Sequence, residues 1–156
     1  MAIRNIFKEG EPILRKRARE VEVFDARLHQ LLDDMKETLH VAEGVGLAAP
    51  QVGISKRVVI IEPTEGDITE MINPVITKAK GSQIGLEGCL SVDSSKNGKV
   101  NRPMSLTVEY FDRNGEKQVM KATDWTARII CHETDHLDGK LFIDDGILLE
   151  ELEAEG

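Results

Sequence analysis

The stretch TDWTARIICHETDHLDG, residues 123–139, decides how the rest of the chain is read. Thr123 or Asp124 has the short oxygen-bearing side chain that caps a helix N-terminus, and Gly139 suits the left-handed turn that closes one. Between them Ile129, Ile130 and Leu137 recur near one face, so the spacing predicts a helix from Trp125 to about Leu137 that packs on a sheet. Inside it stands His132-Glu133-Thr134-Asp135-His136. Residues four apart share a helix face, so both imidazoles can bind one metal ion. Glu133, next to the first His, can reach a water at that ion as a general base.

Two His leave a catalytic metal one protein ligand short. The extended pattern with a third His further along fails, because Phe142 stands where that His would be. Glu150, Glu151, Glu153 and Glu155 read as a solvated end. The best remaining ligand is Cys89, in Glu87-Gly88-Cys89-Leu90-Ser91, between a strand-like stretch and a polar loop. A thiolate suits a soft or borderline metal. Cys131 is adjacent to His132, and neighbouring helical positions point about 100° apart, so it is not expected at the same ion. A third segment, Gly44-Val45-Gly46-Leu47-Ala48-Ala49-Pro50-Gln51, reads as a helix end and turn. Its small residues let a ligand approach the backbone, and Gln51 offers an amide donor for an oxyanion.

Upstream, Glu11-Pro12 opens a short helix. Asp25 caps a longer one whose Leu28, Leu31, Leu32, Met35 and Leu39 recur at helical spacing and which Gly44 ends. His29 and His40 on it read as surface or boundary residues. Strands are expected at Arg57–Glu62, at Met71–Ile72 before Asn73-Pro74, and at Leu106, Val108 and Tyr110, which alternate. Asp112-Arg113-Asn114-Gly115 turns the chain so that Gln118 to Lys121 pairs back. Helix, several strands, then helix predicts an α+β fold, mostly antiparallel sheets packed around the central helix that carries His132 and His136. The expected division is one domain over 1–146 and a short acidic tail over 147–156.

At 156 residues the chain suits one core, and its net charge of -8 argues against general nucleic-acid or membrane-surface binding. No apolar run spans a bilayer and the N-terminus lacks a signal-like apolar region, so a cytoplasmic location is expected.

Taken in order, the three segments resemble the motifs G-x-G-x-A-A-P-Q, E-G-C-L-S and H-E-x-D-H of the peptide deformylases, and every fixed position matches. The resemblance runs from about Ile13 to Phe142. It implies a hydrolase that removes the N-formyl group from the N-terminal methionine of newly synthesised proteins. Cys89, His132 and His136 would bind the metal, usually ferrous iron (Fe2+), with Zn2+, Ni2+ or Co2+ able to take its place. Hydroxide generated there would attack the formyl carbon, with Glu133 as general base and then acid. Gln51 and the backbone N–H of Leu90 would bind the oxyanion. Gly44, Val45 and Gly46 would pair with the extended substrate, while Val45, Leu90, Ile129 and the His132 ring would surround the methionine side chain. Arg102 would pair with Glu87. The implied partners are N-formylmethionyl nascent peptides, with at most a transient ribosome contact, since no basic docking helix is present. Three departures stand out: Asp93 replaces a common Pro, the loop Ser94–Lys99 is polar, and Cys131 replaces a common Gln. Two rival readings remain open. A zinc endopeptidase of another H-E-x-x-H family needs a ligand after His136. A non-catalytic metal-binding module would have no use for an intact Glu133, Gln51 and Cys89.

Overall fold

The computed structural model describes residues 2–144 and 147–148. Its strands are β1 (Gly46–Ala48), β2 (Val58–Thr64), β3 (Asp67–Lys80), β4 (Gln83–Glu87), β5 (Gly98–Arg102), β6 (Ser105–Phe111), β7 (Lys117–Thr123) and β8 (Ile147–Leu148). Two α-helices, α1 (Ala26–Ala42) and α2 (Asp124–Leu137), complete the frame with short 3-10 turns. One sheet has the order β1-β2-β3-β6-β7 and the other β4-β5-β8, and every pair of neighbouring strands is antiparallel. The fold is α+β with mostly antiparallel sheets, as the element order predicts.

The larger sheet is covered on both sides at β2, which is why that strand reads as a continuous apolar run. Val59 and Ile61 face α2, together with Met71, Val108 and Ala122. Val58 and Ile60 point the other way, into the cluster that Leu28, Leu32, Met35 and Leu39 of α1 build. Leu106, Val108 and Tyr110 are buried at every second position of β6, as period-two alternation requires. Ile129, Ile130 and Leu137 are buried in the core between α2 and the sheet. Asp25 caps α1 by accepting a bond from the Leu28 N–H at 3.1 Å.

Several elements differ from expectation. Thr123 occupies the cap position of α2, but its side chain makes no capping bond. Glu43, not Gly44, takes the left-handed conformation after α1, with φ 56°. Gly44 is needed for space, since a Cβ there would lie 2.8 Å from Leu39 and 2.9 Å from Leu90. The segment after it is not only a helix end and turn, because Gly46–Ala48 pairs with Val59–Ile61 as β1 before a 3-10 turn at Ala49–Val52. The strand at Met71–Ile72 does not stop at Asn73-Pro74: β3 continues to Lys80 through a register shift between Ile72 and Val75. Asn73, at φ 53°, carries this bulge, and its amide exchanges two hydrogen bonds with the Val21 backbone at 2.8 and 2.9 Å. Pro74, with no N–H to donate, is tolerated where the ladder is already interrupted. The polar run Ser94–Lys99 is a 3-10 turn at Ser94–Lys96 followed by the start of β5. Of the segment expected as a tail, Ile147–Leu148 pairs with Gly98 and Lys99 of β5, and residues 149–156 lie outside the described residues.

The end of α2 is held as firmly as its face. The Arg57 guanidinium donates to the Leu137 carbonyl at 2.9 Å and pairs with Asp138 at 3.0 Å, and the Ala18 N–H also reaches Leu137 at 2.8 Å. A cation at a helix C-terminus satisfies carbonyls that have no partner within the helix. The helix that carries both histidines is thereby fixed along its axis as well as in rotation.

Candidate metal centre and cleft

His132 and His136 lie one turn apart on the buried face of α2, with ring centroids 5.2 Å apart. The loop after β4 brings Cys89 to them. Its sulfur lies 3.4 Å from Nε2 of His136. Ligating atoms of Cys89, His132 and His136 all fall within 4.8 Å of one another, and this is the one such group among the described residues. Bonds of ~2.3 Å to sulfur and ~2.0–2.1 Å to nitrogen at tetrahedral angles put S and N roughly 3.5 Å apart, so the donors fit a four-coordinate ion. Cys131 is buried in the core between α2 and the sheet, where burial raises its thiol pKa to about 11. Phe142 does not point away from the site: its ring stacks on His132 at 5.8 Å.

Glu87 orients the first histidine. Its carboxylate takes a hydrogen bond from Nδ1 of His132 at 2.9 Å, which leaves Nε2 for an ion. It also accepts Nε and NH2 of Arg102 at 2.9 Å each, and NH1 of Arg128 at 2.6 Å. Burial alone would raise its pKa, but the bonds from Arg102 and His132 win and hold it at about 2. Arg102 reaches on to Asp135 at 2.6 Å. The expected pair of Arg102 and Glu87 is therefore one edge of a wider network. Burial opposes charge on His132, yet its contacts with Cys89 and Glu87 raise it to about 10 with no ion present. Burial takes His136 down to about 3, the state in which an imidazole offers a lone pair.

Glu133 is 4% exposed and lies against β1. A Cβ on Gly46 would meet its Oε2 at 2.5 Å, so only glycine lets the carboxylate lie there. Burial raises its pKa to about 7. Its Oε1 and Nδ1 of His136 have no hydrogen-bond partner among the described residues. Buried polar atoms normally have a partner, so these two are left for a group that the protein itself does not supply. Gln51, 1% exposed, is aimed by two contacts: its Oε1 accepts the Ala48 N–H at 2.9 Å, and its Nε2 donates to Ser91 Oγ at 3.0 Å. The same amide nitrogen sits 3.5 Å from the Cys89 sulfur.

These groups open on a cavity of about 320 Å³. Gly44, Val45, Gly46, Leu90, Ile129 and His132 line it, which is the set expected around a substrate. Leu86, Trp125 and Arg128 line it too and were not anticipated. A signal for Arg128 was present: it precedes His132 by one turn, a charged residue on the buried face of an amphipathic helix, and such a residue needs partners. Gly85, Val100 and Gln83 supply carbonyls for it at 3.0–3.3 Å. His29 Nε2 donates to the Arg113 carbonyl at 2.8 Å and His40 lies beside Glu62, and neither lines the cleft, as expected.

Residues 3–151 match the family model described as polypeptide deformylase. The chain is 51% identical over 144 residues to peptide deformylase 1 of Clostridium acetobutylicum, covering 92% of this chain and 95% of that protein. It is 48% identical over 157 residues to a peptide deformylase of Finegoldia magna, covering 99% and 96%. Among solved structures, the peptide deformylase of Thermotoga maritima superposes with a TM-score of 0.91 at 36% identity, covering 94% of this chain and 99% of that one.

Proposed function

Since the chain belongs to the peptide deformylase family, we propose that it takes the formyl group from the N-terminal methionine of nascent peptides, releases formate, and does so with Cys89, His132 and His136 as metal ligands and Glu133 as the proton carrier. The observation that carries this reading is the convergence of those three donors beside an unpaired Glu133 oxygen. Ferrous iron is the proposed ion, and Zn2+, Ni2+ or Co2+ have chemistry compatible with the same donor set. When bound, such an ion supplies a Lewis acid that brings the pKa of water from ~15.7 to near 7.

The protein's residues do the rest. Glu133 accepts a proton from the attacking water on a carboxylate oxygen and returns it to the leaving amine. A base with a pKa of about 7 is suited to both transfers near neutral pH. Gln51 Nε2 and the Leu90 N–H donate to the oxygen that gains negative charge, and their fixed orientation stabilises the transition state more than the ground state. The backbone of Gly44, Val45 and Gly46 pairs with the extended peptide. Val45, Leu90, Ile129 and the His132 ring enclose the methionine side chain and keep bulk water from the reacting carbon. Residues 1–146 form the catalytic domain in this reading.

The test is formate release from formyl-Met-Ala-Ser by the holoenzyme, measured before chelation, after it, and after adding back ferrous iron. Activity that is lost and then restored supports the proposal. Hydrolysis of internal peptide bonds with no formate released would favour an endopeptidase instead.

A further inference from the structure

The segment ahead of the first helical turn crosses both loops that carry the oxyanion donors. Three successive residues each donate one hydrogen bond to a backbone carbonyl of these loops. The Phe7 N–H donates to the Gln51 carbonyl at 2.7 Å, Lys8 Nζ donates to the Leu90 carbonyl at 2.7 Å, and the Glu9 N–H donates to the Ser91 carbonyl at 2.7 Å. The Phe7 ring lies on Gly53, where a Cβ would approach it to 2.9 Å. The Glu9 carboxylate holds Lys96, further along the loop after Cys89, at 3.0 Å. Gln51 and Ser91 are already joined through their side chains, so the strap closes a ring around them.

The peptide planes on either side of Leu90 are fixed differently. The plane that contains the Cys89 carbonyl and the Leu90 N–H is held by the Val92 N–H, which donates to that carbonyl at 3.1 Å. The next plane, which contains the Leu90 carbonyl, is held by the Lys8 ammonium, a charge-assisted bond of the stronger kind. The ψ angle of Leu90 is a central torsion of the turn that the Val92–Cys89 bond closes, so release of the second plane loosens the bond that holds the first. We propose that Lys8 is a positioning residue for the oxyanion site, setting the Leu90 N–H and Gln51 at a common spacing through the strap Phe7–Glu9. The inference rests on the reading of Leu90 and Gln51 as oxyanion donors. Lys8 neither lines the cavity nor belongs to the three convergent donors, and its contact with Leu90 is exposed, so its removal leaves the core intact.

The experiment compares Lys8→Met, Lys8→Arg and Lys117→Met with the wild-type holoenzyme on formyl-Met-Ala-Ser. Lys117 pairs with Glu109 on an exposed strand and serves as the surface control. Loss of one oxyanion donor typically costs about 10² to 10³ in rate, and loosening one without removing it should cost roughly tenfold. The loss should fall on kcat, with KM within about twofold, because the donors act on the transition state. Metal content should be unchanged and the melting temperature should stay within about 3 °C. Lys8→Arg keeps a donor and should recover most of the rate, while Lys117→Met should match wild type. If Lys8→Met is insoluble, Lys8→Gln, whose amide is too short to reach, carries the same expected loss. A kcat within twofold of wild type, a loss confined to KM, or an arginine variant as slow as the methionine one would overturn the inference. No formate release by the wild-type enzyme would overturn the deformylase reading itself and this inference with it.

Discussion

Replacing Glu87 by glutamine keeps the size of the side chain and removes its charge. The carboxylate is 5% exposed and is the acceptor for Arg102, Arg128 and His132 at once. Arg102 retains Asp135, but Arg128, 4% exposed, would keep only neutral carbonyls. Leaving a buried charge without its partner costs about 3–5 kcal/mol. The ionisation of Glu87 gives an independent figure. Its pKa falls from 4.5 to about 2 on folding. At ~1.4 kcal/mol for each tenfold change in proton affinity, that is about 3 kcal/mol. Because the folded value is the lower one, this stability is fully present above pH 4.5 and is lost as pH falls through about 2. Urea unfolding of metal-free protein should therefore separate wild type from Glu87→Gln by about 3 kcal/mol at pH 7, with the gap closing toward pH 2. The variant also loses the group that orients His132, and changes of that kind typically weaken metal binding by about 10- to 100-fold. Competition against a chromophoric chelator would read that out. A gap below about 1 kcal/mol at pH 7, or one that does not depend on pH, would refute the claim that Glu87 is held ionised by its neighbours.

Three further outcomes are expected. Glu133→Ala should keep a full complement of metal yet lose about 10² to 10⁴ in kcat, and a variant with wild-type turnover would remove Glu133 from the mechanism. Gly46→Ala puts a methyl group 2.5 Å from Glu133 Oε2, so the carboxylate or β1 must move; displacements of ~1 Å can cost about 10²-fold, and steady-state kinetics showing less than threefold loss would mean that the space yields freely. The iron form should lose activity over hours in air while nickel and cobalt forms persist, because thiolate ligation leaves ferrous iron and Cys89 open to oxidation. Equal persistence with and without oxygen, followed by formate release, would contradict this.

Local pattern alone was enough to locate much of this molecule. The helix that carries His132 and His136, the alternation of Leu106, Val108 and Tyr110, and the helix capped by Asp25 are written in spacing, since a helix turns every 3.6 residues and a strand every two. Cys89 was the best remaining candidate once the residues after His136 offered no third ligand, and the three motifs in order pointed to one family. What spacing cannot show is which distant segments meet. Pro74 looked like a strand end, yet the side chain of Asn73 finds the Val21 backbone and lets β3 run through a bulge. Arg128 and Asp135 gained their parts only when β4 and β5 folded against α2 and placed Glu87 among them. Gly46 is small because Glu133 lies on it, and Lys8 reaches Leu90 across 82 positions of sequence. Side-chain chemistry and periodicity are properties of a short stretch and survive in the sequence, whereas the pairing of buried charges and the filling of space depend on packing that brings remote residues within a few ångströms.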